Sequence, residues 1–252
     1  MHAAAIVAAA GSGSRLGADR PKALVPLAGR PLVTWAVEGL LAAGVTEVVV
    51  TVPPAERAAF AAALPAAVRL VDGGSTRTAS VRAGLAALSG PGRPVADVVL
   101  VHDAARPLTP SDVVARVLGA LAAGAPAVVP VLPVVDTTVA VDDDGVVVEA
   151  VPRAPLRRVQ TPQGFDRAIL VAAYAALDDA AELTDDAAVV RAAGVPVRTV
   201  PGDERAAKIT VPHDLVLAEM SVRTTGERAS QGAPATEERN EPGAEPSCEV
   251  AR

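Results

Sequence analysis

The sequence predicts an α/β fold with a doubly wound, mostly parallel sheet. Short valine-rich runs alternate with alanine- and leucine-rich stretches of helical length. The valine-rich runs are continuously apolar, as strands buried on both faces must be. A glycine-rich loop follows the first run, at the end of the strand where open α/β sheets bind ligands.

The runs Ala4–Ala8, Glu47–Val52, Val68–Val71, Val98–His102 and Ala127–Val131 read as strands. Pro31–Ala43, Glu56–Leu64, Ser80–Leu88, Pro110–Ala122 and Asp166–Leu177 read as helices. Each strand followed by a helix is a βα unit, and repetition of that unit gives the doubly wound sheet. Thr109 before Pro110 reads as an N-cap with proline at the first helical position. Asp136–Pro152 breaks the rhythm: two β-rich runs flank an acidic turn ending in Gly145, the pattern of an inserted hairpin. An isolated hairpin is marginal in water, so it is expected to pack on something, its own domain or a second subunit.

The chain has 252 residues, 50% hydrophobic but only 2% aromatic, so alanine, valine and leucine must build the core. One folded domain over residues 1–222 is expected, followed by a disordered tail, 223–252, nearly free of large apolar residues. The net charge of −6 argues against a nucleic-acid partner and requires any anionic substrate to meet a local cluster of cations. Cys248 is the one cysteine, which excludes an intrachain disulfide and fits a cytoplasmic protein. Met1–Ala10 is apolar but lacks a basic leader, so it reads as a buried strand, and no run of about 18 residues suits a membrane span.

The first strand runs into Ala9-Ala10-Gly11-Ser12-Gly13-Ser14-Arg15-Leu16-Gly17, then Pro21-Lys22. Glycines let the backbone approach a phosphate and aim N–H groups at it. The string is not a Walker loop. Leu16 stands where a dinucleotide fingerprint needs its third glycine, which argues against an NAD-dependent oxidoreductase. Arg15 and Lys22 would bring two cations to a triphosphate.

Three further groups follow strands or late turns. Asp72-Gly73-Gly74-Ser75-Thr76-Arg77 leads to Ser80, which could cap a helix or bond a base. His102-Asp103-Ala104-Ala105-Arg106 places an acid at a strand end, where Asp103 could hold a divalent cation and Arg106 could reach a phosphate. His102 reads as a structural hydrogen-bonder. Arg153, Thr161-Pro162-Gln163, Thr184-Asp185-Asp186 and Lys208 form the late set. Thr184 reads as a helix cap, and Lys208 lies in a short β-like run. No Ser-His-Asp or Cys-His set is apparent, which suits phosphoryl-type transfer by positioning and charge neutralisation.

The strings AAAGSGSRLGADRPKAL, VDGGSTRTASV, VLVHDAARP, TPQGF, LTDDA and AKITVPHDLVLAEM, in this order over Ala3 to Met220, closely resemble the 2-C-methyl-D-erythritol 4-phosphate cytidylyltransferase family. The resemblance implies a Rossmann-like nucleotidyltransferase fold, with the hairpin, about 134–153, as a homodimerisation arm. It implies CTP and methylerythritol phosphate as substrates, Mg²⁺ as cofactor and pyrophosphate as product, in the non-mevalonate isoprenoid pathway. By similarity, Arg15, Lys22 and Lys208 are catalytic. Ala9, Ala10, Gly11, Gly13, Gly74, Arg77 and Ser80 bind the nucleotide. Asp103, Ala104, Arg106, Arg153, Thr161 and Thr184 serve the second substrate, with Arg153 delivered by the partner's arm. Ser75 departs from the acidic residue often found there. Two alternatives stay open at this point: the same chemistry on another polyol phosphate, such as ribitol 5-phosphate, and a non-catalytic nucleotide-binding protein.

Overall fold

The computed structural model describes residues 1–11, 13, 16–89, 95–178 and 183–230, the side chains of 225–230 apart. Its elements run in the order β1 (Ala3–Ala8), β2 (Pro26–Leu27), β3 (Arg30–Pro31), α1 (Leu32–Ala42), β4 (Glu47–Val52), α2 (Arg57–Ala63), β5 (Arg69–Asp72) and α3 (Arg77–Ala87). They continue with β6 (Val98–Asp103), α4 (Ser111–Ala122), β7 (Ala127–Pro133), β8 (Thr138–Val141), β9 (Val147–Val151), β10 (Arg157–Val159), β11 (Gln163–Asp166), α5 (Arg167–Ala176), α6 (Asp186–Ala192), β12 (Arg198–Pro201) and α7 (Pro212–Ser230).

The main sheet has eight strands. β5, β4, β1 and β6 are neighbours in that order and all parallel. β11 is antiparallel to both β6 and β7. β10 continues along the same edge of β7, and β12 pairs with the other edge in parallel. Alternate residues of each strand feed two cores. Ala5, Val7, Val50 and Leu100 pack with Val37, Phe60 and Val117 of α1, α2 and α4. Ala4, Ile6, Val49 and Val101 pack with Val81, Leu170 and Val189 of α3, α5 and α6. With helices on both faces the central strands have no wet side, which is why they read as unbroken apolar runs.

From β1 the chain passes to β4 on one side, and later to β6 on the other. The carboxyl ends of β1 and β6 therefore flank a crevice where the winding reverses, the ligand position of open α/β sheets.

The hairpin forms as expected. β8 and β9 pair antiparallel in a two-stranded sheet of their own. Asp142 closes the turn by accepting from the Asp144 and Val146 amides at 3.1 and 2.8 Å, and Gly145 supplies a φ of +81°. Val141, Val146, Val147 and Val148 stand more than half exposed in the protomer.

Several boundaries differ from the sequence expectation. α3 starts at Arg77 because Thr76 caps it, accepting from the Ala79 amide at 3.0 Å, so Ser80 lies inside the helix. Thr109 does not cap α4, because its hydroxyl donates to the Arg106 carbonyl at 3.1 Å and Pro110 occupies the cap position. Residues 207–210 are not a strand. They lie between a 3-10 turn, Glu204–Ala206, and α7, and Ile209 makes a single amide bond to the Ala105 carbonyl at 2.8 Å. Residues 223–230 continue α7 rather than starting an irregular tail. No proline interrupts them, and Thr224 donates back to the Met220 carbonyl at 3.0 Å. Residues 231–252 of the expected tail lie outside the described residues.

Gly164 of β11 allows α4 to sit close to the sheet. A Cβ there would lie 2.5 Å from Val117 and 2.8 Å from Leu121. Gly164→Ala is expected to destabilise the protein by about 1–3 kcal/mol of overpacking, offset by up to about 1 kcal/mol of backbone entropy. A fall in the midpoint of thermal unfolding checks this.

Candidate active site

A cleft of about 330 Å³ opens at the β1/β6 crevice. Its floor is the end of β1, Ala8 to Gly11, with Gly13. Its walls are the β5–α3 loop, Gly74 to Arg77, with Ser80, and the end of β6, Asp103 to Ala105. Lys22, Lys208 and Thr210 close it.

Missing side chains bring these loops together. Gly13 has a φ of +73°, in the left-handed region, and a Cβ there would lie 2.5 Å from the Lys22 Cβ. The loop is thus pressed onto Lys22, which begins a 3-10 turn, Lys22–Leu24. A Cβ on Gly73 would lie 2.6 Å from that of Ala10, and one on Gly74 would lie 2.4 Å from that of Ala79. Ser80 is buried, accepts from the Gly74 amide at 3.1 Å and donates to the Thr76 carbonyl at 2.9 Å. It fixes the glycine pair where a nucleoside can lie against the backbone.

Charge is concentrated at Asp103. Its Oδ2 accepts from Lys208 at 2.7 Å and its Oδ1 lies 3.5 Å from the Arg77 guanidinium. Burial alone would raise the Asp103 pKa, but Arg77 and Lys208 outweigh it and hold the carboxyl well below its ordinary range. Arg77 also donates to Asp186 at 2.6 Å, and Asp186 in turn accepts from the Tyr174 hydroxyl at 2.6 Å. Burial opposes the charge on Arg77, but the two carboxylates keep the guanidinium firmly protonated.

One short segment carries three hooks. Gln160 exchanges hydrogen bonds with the backbone of Asp203, at 2.8 and 3.0 Å, and so anchors the stretch leading to Lys208. The Thr161 hydroxyl accepts from the Asp103 amide at 3.1 Å and donates to His102 Nδ1 at 3.0 Å. Gln163 holds Asp185 and the Ala187 amide at 2.8 and 2.9 Å, which sets the start of α6.

His102 Nε2 lies 3.2 Å from the Arg106 carbonyl and Nδ1 3.0 Å from the Thr161 hydroxyl, so the ring serves structure, as its sequence context suggested. Burial lowers its pKa to about 4, and the nearby Arg106 charge adds to the effect.

Of the sequence-predicted residues, Ala9, Ala10, Gly11, Gly13, Lys22, Gly74, Arg77, Ser80, Asp103, Ala104 and Lys208 line the cleft. Arg15 lies outside the described residues. Four others stand elsewhere. Arg106 donates from its two terminal nitrogens to the Ala206 and Val159 carbonyls, at 2.7 and 3.2 Å, while its buried Nε finds no partner among the described residues. Thr161 is buried with its hydroxyl engaged. Thr184 is exposed, and Asp185 instead of it caps α6, accepting from the Ala188 amide at 2.8 Å. Arg153 sits at the foot of the hairpin, donating to the Val135 carbonyl. Sequence reasoning missed the lining residues Thr76 and Thr210 and the buried pair Asp186 and Tyr174. The double acid after Thr184 was the one available signal for Asp186.

Asp103 is the single acid in this lining, and the described residues contain no cluster of three metal-ligating side chains. That donor set does not suit a resident metal cage. It suits a magnesium ion that arrives with phosphates and takes one or two protein carboxylates. No helix among the described residues is long and apolar enough to cross a membrane.

A doubly wound sheet whose switch-point cleft combines a glycine loop, lysines and one acid defines a nucleotidyltransferase. The family model described as 2-C-methyl-D-erythritol 4-phosphate cytidylyltransferase matches residues 3–224. An enzyme of that name from Nocardia farcinica is 55% identical over 218 residues, covering 85% of this chain and 91% of its own. One from Frankia casuarinae is 52% identical over 217 residues, covering 86% and 79%. The crystal structure of the Thermus thermophilus enzyme superposes with a TM-score of 0.72 at 41% identity, covering 88% of this chain and all of that one. The chain belongs to the 2-C-methyl-D-erythritol 4-phosphate cytidylyltransferase family.

Unfolded, His102 titrates near its ordinary 6.5, whereas folded it resists protonation until about pH 4. Stability present above pH 6.5 is therefore expected to fall by roughly 3 kcal/mol as pH drops to 4. The Asp103 contribution is present above its unfolded value of 3.8 and is lost only at still lower pH, so the windows separate. Urea unfolding at stepped pH should show the slope, and His102→Gln should flatten it. An unchanged slope in that variant would assign the effect elsewhere.

Proposed function

We infer that this protein transfers CMP from CTP to 2-C-methyl-D-erythritol 4-phosphate, giving 4-diphosphocytidyl-2-C-methyl-D-erythritol and pyrophosphate. The observation that carries the reading is the meeting of the β1 glycine loop, Lys22 and the Asp103–Lys208 pair in one cleft of a chain from this family. The family match favours methylerythritol phosphate over ribitol 5-phosphate. Both lysines in the lining favour an enzyme over a non-catalytic binder.

The sugar phosphate is already an oxyanion near neutral pH and needs no base. One of its oxygens attacks the α-phosphorus of CTP in line. The new P–O bond forms as the bond to the β-phosphate oxygen breaks, and pyrophosphate leaves with that electron pair. Backbone amides at Ala9, Ala10, Gly11 and Gly13, with Lys22, hold the triphosphate. Lys208, oriented by Asp103, neutralises charge where the two phosphates meet. Arg15, by its place in the family motif, adds a third cation. Magnesium bound with the triphosphate would draw charge from the leaving group, and Asp103 is the lining carboxylate placed to meet it.

We further propose that the second substrate takes a contact from a second protomer. The bare valines of the hairpin favour burial against a second copy, and Arg153 at its foot could then reach the neighbouring cleft. On this reading the protein works as a homodimer.

Lys22→Ala is expected to lower kcat at least about a hundredfold, from the loss of about 3 kcal/mol of transition-state stabilisation. Release of pyrophosphate from CTP, dependent on added methylerythritol phosphate, measures it. Near-normal turnover would remove Lys22 from the mechanism. Arg153→Ala should raise KM for the sugar phosphate about tenfold with kcat little changed, in a protein that sediments as a dimer. An unchanged KM would count against the arm contact.

A further inference from the structure

Asp186 and Tyr174 lie behind the cleft, and the transfer chemistry above does not use them. Asp186 is fully buried, at 0% exposure. A buried carboxylate is tolerated only when it is paired and hydrogen-bonded. Both its oxygens are engaged: Oδ1 accepts from the Tyr174 hydroxyl and Oδ2 from Arg77, each at 2.6 Å. Arg77 then lies 3.5 Å from Asp103, whose other oxygen holds Lys208 at 2.7 Å. A chain of contacts thus runs Tyr174–Asp186–Arg77–Asp103–Lys208, from α5 into the cleft.

The unequal distances decide what Arg77 does. At 2.6 Å it belongs to Asp186. At 3.5 Å it lends charge to Asp103 without a full hydrogen bond. Asp103 keeps Lys208 as its close partner, and the Lys208 side chain is 45% exposed, toward the space a phosphate would fill. We propose that Asp186 and Tyr174 are positioning residues for the transfer: by anchoring Arg77 away from Asp103, they leave Asp103 to orient Lys208. The inference rests on the cytidylyl-transfer reading given above. Without the charge on Asp186, the nearest carboxylate for Arg77 is Asp103. Arg77 then closes on it and competes with Lys208. The loss falls on turnover. Nucleotide binding, carried by Lys22 and the backbone of the β1 and β5–α3 loops, is spared.

The test uses the full chain with Asp186→Asn and Tyr174→Phe, alone and together. It measures pyrophosphate release at saturating substrates, the KM for CTP and the thermal midpoint. Asp186→Asn should lower kcat about tenfold or more and Tyr174→Phe about threefold, with the KM for CTP within about twofold of the parent. The double variant should be no slower than Asp186→Asn, because Tyr174 acts only through that carboxylate. Single variants with kcat within about twofold of the parent would overturn the proposal. So would losses that multiply in the double variant, or a rise in the KM for CTP that exceeds the fall in kcat. A purely structural role would lower the thermal midpoint and leave kcat per folded molecule intact, which also overturns it. If Asp186→Asn does not fold, the near-isosteric Tyr174→Phe decides by the same kcat criterion. If the parent itself releases no pyrophosphate, the activity reading fails separately. Crystal structures of the variants then judge the relay: Arg77 turned onto Asp103 upholds it, and Arg77 unmoved overturns it.

Discussion

A single carboxylate at the end of β6 ties the cleft together. Asp103 is 8% exposed, and a charge in that position is stable only with cations at hand. The cations come from far apart in the chain: Arg77 from the first turn of α3 and Lys208 from the stretch after β12. Their shared need to meet Asp103 fixes those two segments relative to the central strands. β6 can play this part because it lies beside β1, at the reversal of the winding. The topology thus places the acid, and the acid places the bases.

The balance of charge across the molecule agrees with a short-range device. The chain is acidic overall, with a net charge of −6, so its distant field does not favour a triphosphate. Screening limits that repulsion to about 8–10 Å in ordinary salt. Within the cleft, Lys22, Lys208 and Arg77 face one acid among the described lining residues. Attraction therefore begins where selection by shape also begins, among glycines that permit backbone contact.

What could be read from the sequence follows from physics that acts locally. β1, β4 and β6 were legible because strands covered on both faces are mostly apolar, with their few polar residues near the ends. The glycine loops were legible because close backbone approach leaves a compositional trace at Gly13, Gly73 and Gly74. β10, by contrast, reads Arg157-Arg158-Val159, is exposed along its length and gives no apolar run. Arg106 was expected to reach a phosphate, and the backbone carbonyls its guanidinium meets, in β10 and in the turn before Lys208, lie 53 and 100 residues away, beyond the reach of local signals. Asp186 looked like one of two acids at a helix start. Its partner Arg77 is 109 residues distant, and only the folded chain brings them to 2.6 Å. Local signals thus mark the elements and the phosphate loop, whereas pairings over long separations assign the working partners.

The hooks of Gln160, Thr161 and Gln163 have a mechanical consequence. Three residues within four consecutive positions fasten three pieces of chain: the approach to Lys208, the end of β6 and the start of α6. Pieces riveted to one bar shift in concert. Thermal jostling in this half of the cleft should therefore translate Asp103, Asp186 and Lys208 as a block, preserving their mutual spacing, with the opposite wall coupled to it through Arg77.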